Sequence, residues 1–301
     1  MTAIGEQAGE IRTAAGFGPS ARVNRIRHIR NRAAVFVKKN QGLVSNPDFW
    51  ALLPGMVASR VGGLEGYPAD GRRLFVGTHH KAMTTYFSAV LRLLAFGAGR
   101  RFAEINFEAP PDRAEILLSN HTAFEVDAFR PCRGVHIMRD PRDMIVSGYH
   151  YHKWTHEAWV HRMDESGRTY QEKLNAADKT SGLFMEIDHF IFLYRALLES
   201  WDTEDPDVLE VSYESLMGEG RDALYFRIFE HLGLAGPALA YAVDLMRLFE
   251  AKSRTGKSGD ANRFAHIRSG ASEQWRKELE PQHIAYIERE LGPVLEKFGY
   301  G

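Results

Sequence analysis

The stretch FVGTHHKAMTTYF, residues 75–87, decides the fold. It joins a short apolar run, residues 73–78, to a helical pattern, residues 83–96, that Gly97 and Gly99 bring to a stop. The run reads as a buried strand. The turn after it is small and hydroxylated and carries one lysine, Lys81. A strand that turns directly into a helix aims unpaired backbone N–H groups and the positive end of the helix dipole at the turn, and anions bind there. The usual phosphate loop spaces a glycine, four residues and then Gly-Lys-Ser/Thr. Here Lys81 comes four positions after Gly77, and Thr84 and Thr85 follow it, so the same parts stand in a different order. For this stretch alone, a solvated lysine in a polar turn is the competing reading.

Outward from the turn, EILLSNH (115–121), GVHIMR (134–139) and DVLEVSYE (207–214) are further short apolar runs with strand character. DPRDMIVSGYHYH (140–152) opens a helix, with Asp140 suited to its cap and Pro141 to its first position. Residues 182–201, 219–232, 237–251 and 281–298 carry helical patterns. Strands alternating with helices predict an α/β fold, a central mostly parallel sheet flanked by helices. Ligands of such sheets bind beyond the carboxyl ends of the strands. Three of these ends carry chemically active residues: Lys81, His121 and Arg139. Ser147 follows Arg139 by eight positions, on roughly the same side of the helix, so that a guanidinium fork and a hydroxyl can share one phosphate.

The 301 residues are 44 % hydrophobic and 26 % charged, enough for a sizeable core and room for one or two domains. A net charge of −1 gives no sign of a nucleic-acid partner. The single cysteine, Cys132, excludes an intrachain disulfide and a cysteine-rich metal site. No apolar run reaches the roughly 18–20 residues that span a bilayer, and MTAIGEQAGE lacks the pattern of a signal peptide, so a cytoplasmic protein is expected. Residues 11–40 hold eight Arg or Lys and no acid. Residues 22–39 within them suit either a helix docked on the domain with solvated arginines or a weak contact with an anionic membrane surface. The expected division is 1–71, a basic segment and lead-in, packed on the domain or partly flexible, and 72–301, the main domain. Residues 252–273 lack periodicity and carry Lys252, Arg254, Lys257, Arg263 and Arg268, which favours a loop around an anion.

Together these stretches resemble the sulfotransferases that use 3′-phosphoadenosine 5′-phosphosulfate (PAPS). THHKAMTTY (78–86) is similar to the family's Thr-Tyr-Pro-Lys-Ser-Gly-Thr-Thr-Trp loop, and RDPRDMIVS (139–147) to its arginine, Asn-Pro-Lys/Arg-Asp and serine. ILLSNH resembles the strand that ends in the family's histidine, and RSGASEQW (268–275) the Arg-Lys-Gly loop before a tryptophan. The resemblance implies a P-loop-NTPase-like sulfotransferase fold and transfer of a sulfuryl group to a hydroxyl. A histidine base is closer to the cytosolic branch that sulfates small molecules. His121 is then the base, and Lys81 stabilises the leaving oxygen. Thr84 and Thr85 hold the 5′-phosphate, while Arg139, Ser147, Arg268 and Gly270 hold the 3′-phosphate. Tyr86 stacks on adenine, and Phe249 matches a phenylalanine near the base. His79 and His80 flank the same loop and compete for the base role. The chain departs from the family at Met83 (Gly), His80 (Pro), Tyr86 (Trp) and Ser269 (Lys).

Two other classes compete. A P-loop nucleotide phosphotransferase or kinase would need a Gly-Lys-Ser/Thr loop and a magnesium-binding aspartate at a strand end. A non-catalytic nucleotide-binding module of the same fold would have no use for all of Lys81, His121, Arg139, Ser147 and Arg268. No metal is expected, because His150-x-His152 has no obvious set of carboxylate partners. Tyr151, Trp154, Trp159, Phe184, Phe190 and Tyr194 read either as core or as walls of an acceptor pocket.

Overall fold

The computed structural model describes residues 47–254 and 272–301. At its centre lies β1 (Arg73–Gly77), buried from Leu74 onward. It pairs in parallel with β3 (Ile116–Ser119) on one side and β4 (Cys132–Met138) on the other. β2 (Phe102–Ile105) extends the sheet beyond β3, and β5 (Val208–Ser212) extends it beyond β4, giving the order β2-β3-β1-β4-β5, with every pair parallel. This is the expected α/β architecture. The register sets Gly77 beside Ser119 and His136, so the segments bearing Lys81, His121 and Arg139 leave the same edge of the sheet.

The helices in chain order are α1 (Pro47–Gly62), α2 (Thr84–Ala98), α3 (Pro141–His152), α4 (Tyr170–Ala176), α5 (Lys179–Ser200), α6 (Tyr213–Met217), α7 (Arg221–His231), α8 (Gly236–Arg254), α9 (Trp275–Glu278) and α10 (Pro281–Lys297). α2 packs on β2, β3 and α8. α3, α5 and α10 share a core around Ile145, Ile187 and Leu291. Residues 51–301 form one compact unit. Of the other unit, residues 1–50, only 47–50 are described. The basic segment at 22–39 lies outside the described residues, as do Arg268 and Gly270.

Local chemistry explains the boundaries. Asp140 caps α3 by accepting the Arg142 N–H at 2.9 Å, with Pro141 in the first turn, as expected. α2 continues through Gly97 and stops at Gly99, whose φ of 70° costs glycine nothing. Gly97 lies within the helix against Tyr241 of α8, where a Cβ would come within 2.9 Å of the ring, so the position takes no side chain. The strand expected to reach 214 ends at Ser212, whose hydroxyl accepts the Ser215 N–H and so begins α6. The unanticipated β2 is an edge strand with only Ile105 buried, which leaves little apolar signal to read. The loop expected at 252–273 lies largely outside the described residues, but α8 continues to Arg254.

Candidate active site

The turn between β1 and α2 is tied down from within. The hydroxyls of Thr78 and Thr84 are 2.8 Å apart, Thr84 Oγ1 donates to the His79 carbonyl at 3.1 Å, and Ala82 N–H donates to the same oxygen at 2.9 Å. Thr122 Oγ1 donates to the Thr78 carbonyl at 2.9 Å, which ties the segment after β3 to the turn. Gly77 permits this approach, because a Cβ there would lie 2.8 Å from Thr122 Oγ1. Lys81 (φ 67°) and Met83 (φ 66°) both adopt left-handed backbone. Met83 therefore takes a conformation that suits the glycine of the family loop. Met83 also occupies the cap of α2, where its side chain offers no acceptor to the first-turn amides. An anion can take that place.

Lys81 Nζ lies 3.9 Å from the centre of the Tyr151 ring. Burial, and then the charge of Arg139, push its pKa down to about 8. Arg139, at the end of β4, donates from Nη1 to the Lys81 carbonyl at 3.0 Å and lies over the Tyr213 ring at 4.3 Å. Its Nη2 is 3.4 Å from Asp143 Oδ2. The buried Asp143 carboxylate also accepts the Glu273 and Trp275 N–H groups at 2.8 and 3.0 Å, fixing the chain just after the Arg268–Gly270 segment. Ser147 stands half-buried on α3.

His121 stacks on Phe107, with ring centres 4.3 Å apart and planes inclined by 11°. Its Nδ1 is 2.7 Å from the Tyr194 hydroxyl, which also accepts the His80 N–H at 3.4 Å. One phenol thus touches both the histidine after β3 and the turn after β1. Burial pushes the His121 pKa down to about 4, so the ring is neutral at pH 7. The loop histidines are engaged elsewhere. His79 Nε2 lies 2.7 Å from His136 Nε2, and the His80 ring stacks on His152 at 5.2 Å. Burial holds the pKa of both well below the ordinary histidine value, helped by His136 for His79 and by His152 for His80.

On the nucleotide side, Thr85 lies in the first turn of α2. Tyr86 and Phe249 meet edge to face at 6.3 Å, and the Tyr86 hydroxyl is anchored on the Met246 carbonyl at 2.6 Å. Lys81, Thr84, Arg139 and His121 therefore come together around one turn, with Tyr86 and Phe249 paired beside it. Among the described residues, no three of His, Cys, Asp and Glu group as a metal site. His152 instead places Nδ1 2.9 Å from the buried Glu186. Of the six aromatics with two readings, Phe190 and Tyr194 are core residues.

Sequence reasoning missed Tyr213 and Asp143 as parts of the site, together with the buried His136 and with Glu210; Tyr151 and Tyr194 read there only as core or acceptor-pocket walls, without their contacts to Lys81 and His121. Asp143 stands in the DPRD motif, and its role depends on a chain reversal more than a hundred residues later. His136 had a usable signal, a lone polar ring inside an apolar strand.

A family model, the sulfotransferase domain, matches residues 117–299, which include His121, Arg139 and Ser147. No curated relative matches the chain. Among solved structures, the chain is similar to mouse sulfotransferase SULT7A1 complexed with PAP, with 14 % identity over 80 % of this chain and 90 % of that one, at a TM-score of 0.48. It is also similar to retinol dehydratase in complex with androsterone and inactive cofactor PAP, with 15 % identity over 81 % and 86 % of the two chains, at a TM-score of 0.43. With the family model covering more than half of its length, the chain belongs to the sulfotransferase domain family and is a PAPS-dependent sulfotransferase.

Proposed function

We propose that this enzyme sulfates the hydroxyl of a small molecule, with His121 as base and Lys81 as the cation at the leaving oxygen. The observation that carries this reading is the convergence on one sheet edge of a half-buried lysine, a helix start without a side-chain cap, and a neutral histidine that Tyr194 joins to the turn at the His80 N–H. PAPS supplies the sulfuryl group and leaves as 3′-phosphoadenosine 5′-phosphate (PAP).

The residues divide the work. Thr84, Thr85 and the first-turn amides of α2 bind the 5′-phosphate. Arg139, Ser147, Arg268 and the backbone of Gly270 bind the 3′-phosphate, and Tyr86 with Phe249 holds the adenine. Lys81 opposes the negative charge that grows on the leaving oxygen, and its half-buried setting strengthens that interaction. With its neutral proton on Nδ1, His121 donates to the Tyr194 oxygen and keeps a lone pair on Nε2 for the acceptor's proton. Stacking on Phe107 holds the ring plane. Phe107 is 53 % exposed beside the base, which suits an acceptor with an apolar body. The single buried thiol, Cys132, suits the cytoplasm. Among the described residues, no helix is long and apolar enough to cross a membrane.

The test is thermal protection by ligand. PAP should raise the melting temperature, while ADP and ATP at equal concentration should not; a ligand at 100 times its Kd adds about 2.7 kcal/mol. Protection by ATP with magnesium, and none by PAP, would favour a phosphotransferase.

A further inference from the structure

A chain of hydrogen bonds runs beneath the donor loop and has no part in the mechanism above. Trp201 Nε1 donates to Glu210 Oε1 at 2.7 Å. Glu210 Oε2 is 2.7 Å from His136 Nδ1, and His136 Nε2 is 2.7 Å from His79 Nε2. The sheet register builds this row: Glu210 of β5 pairs with His136 of β4, and His136 pairs with Gly77 of β1, two residues before His79. His136 and His79 are 0 % and 1 % exposed.

The proton positions follow from the end of the row. A carboxylate only accepts, so His136 carries its proton on Nδ1. One proton fits between the two Nε2 atoms. If His136 supplied it, a neutral His79 would carry its own proton on Nδ1, which is buried and has no partner. If His79 supplies it, Nδ1 is a bare lone pair, the less costly group to leave unpaired. The bonds therefore point from His79 to His136 to Glu210. The His79 carbonyl meanwhile receives Thr84 Oγ1 and the Ala82 N–H, the two bonds that shape the turn around Lys81.

We propose that Glu210 and His136 are positioning residues for sulfuryl transfer, which hold His79 in one tautomer and thereby fix the donor loop. The inference rests on the reading that residues 78–86 hold the donor. Outer partners that orient metal ligands typically change affinity or activity by roughly tenfold to a hundredfold when removed, and the same scale is expected for groups that orient this loop. Glu210→Ala should therefore weaken PAP, measured by calorimetry, and slow PAPS consumption with water as acceptor, each by about that factor. It should also abolish the exchange-protected downfield imidazole proton that the His79–His136 bond gives in the proton NMR spectrum of the free enzyme.

Glu210→Gln gives a sharper test, because its one amide oxygen can serve His136 or Trp201 but not both, and its NH₂ then opposes an N–H. Glu210→Gln alone should show an intermediate loss. Trp201→Phe removes the indole N–H and keeps an aromatic ring against His136, which now lies 4.4 Å from the Trp201 ring. The double variant Glu210→Gln/Trp201→Phe should recover the affinity and turnover of Trp201→Phe alone. A purely structural role would leave the double variant no better than the sum of its parts. Wild-type PAP affinity and turnover in Glu210→Ala, no downfield proton in the wild type, or no recovery in the double variant would each overturn the proposal. Should Glu210→Ala fail to fold, the glutamine series and the wild-type spectrum still decide. Lys81→Ala separates the two readings: unchanged PAPS consumption there removes the donor loop itself, whereas the imidazole proton and its loss report on the buried row alone.

Discussion

Raising the pH should disable donor recognition well below the ordinary lysine range. Burial, and then the neighbouring Arg139, push the Lys81 pKa down to about 8, whereas a solvated lysine keeps its proton to about pH 10.5. A lysine is charged below its pKa, so on the order of 90 % of the molecules carry the ammonium at pH 7 and about 10 % at pH 9; an ordinary lysine would still be ~97 % charged at pH 9. Donor kcat/KM reports the free enzyme and should fall about tenfold between pH 7 and pH 9. With donor bound, its phosphates favour the ammonium, so the alkaline limb of kcat should lie at higher pH than that of kcat/KM. The assay is the initial rate of PAPS consumption across this range at constant ionic strength. Lys81→Arg supplies the control: its guanidinium does not titrate there, so the limb should vanish even though the altered fork lowers the rate. A wild-type profile flat to pH 10, or the same limb in Lys81→Arg, would refute the assignment of this charge to the donor.

His121→Ala should abolish transfer to an alcohol while leaving PAP affinity by calorimetry unchanged; full turnover in this variant would return the base to the loop histidines. Because His121 works as the neutral ring and titrates near 4, the acidic limb should appear as pH falls towards 4, and a limb near 6.5 would contradict its burial. Met83→Gly should stabilise the loop, since left-handed backbone costs a residue with a Cβ roughly 1–2 kcal/mol, seen as a higher melting temperature of the PAP complex; a lower one would mean that Met83 packing outweighs the strain. Arg139→Ala should weaken PAP more than adenosine 5′-phosphosulfate, which lacks the 3′-phosphate, by roughly 1.5–3 kcal/mol for a charge-assisted bond; equal losses would assign Arg139 to holding the Lys81 carbonyl alone.

The fold was legible because its signals are local. The apolar runs of β1, β3 and β4, the Asp140-Pro141 start of α3 and the glycine stop of α2 are each decided within a few residues. β2 escaped because an edge strand with one buried residue has no pattern to display. The Lys81 turn and the His121 and Arg139 strand ends were legible for the same local reason. Their partners were not. Tyr194 reaches His121 from 73 residues away and Asp143 meets Trp275 from 132, so these contacts exist only once the helices have packed. The row from His79 to Glu210 depends on which strands lie side by side and in what register, and no single stretch of sequence contains that.

The strand order has a consequence for how the chain is made. β1 is central, yet it leaves the ribosome before either of its neighbours. Its apolar Leu74–Val76 segment carries two open edges until Ile116, the partner of Leu74, has been made, and one until Cys132, the partner of Arg73, emerges. Pairings this distant in sequence form slowly, because loop closure precedes any gain from contact. During that interval the future donor site is an unpaired apolar strand followed by a helix, and α2 can shield only part of it. During synthesis β1 is therefore open to wrong pairing along both edges at once.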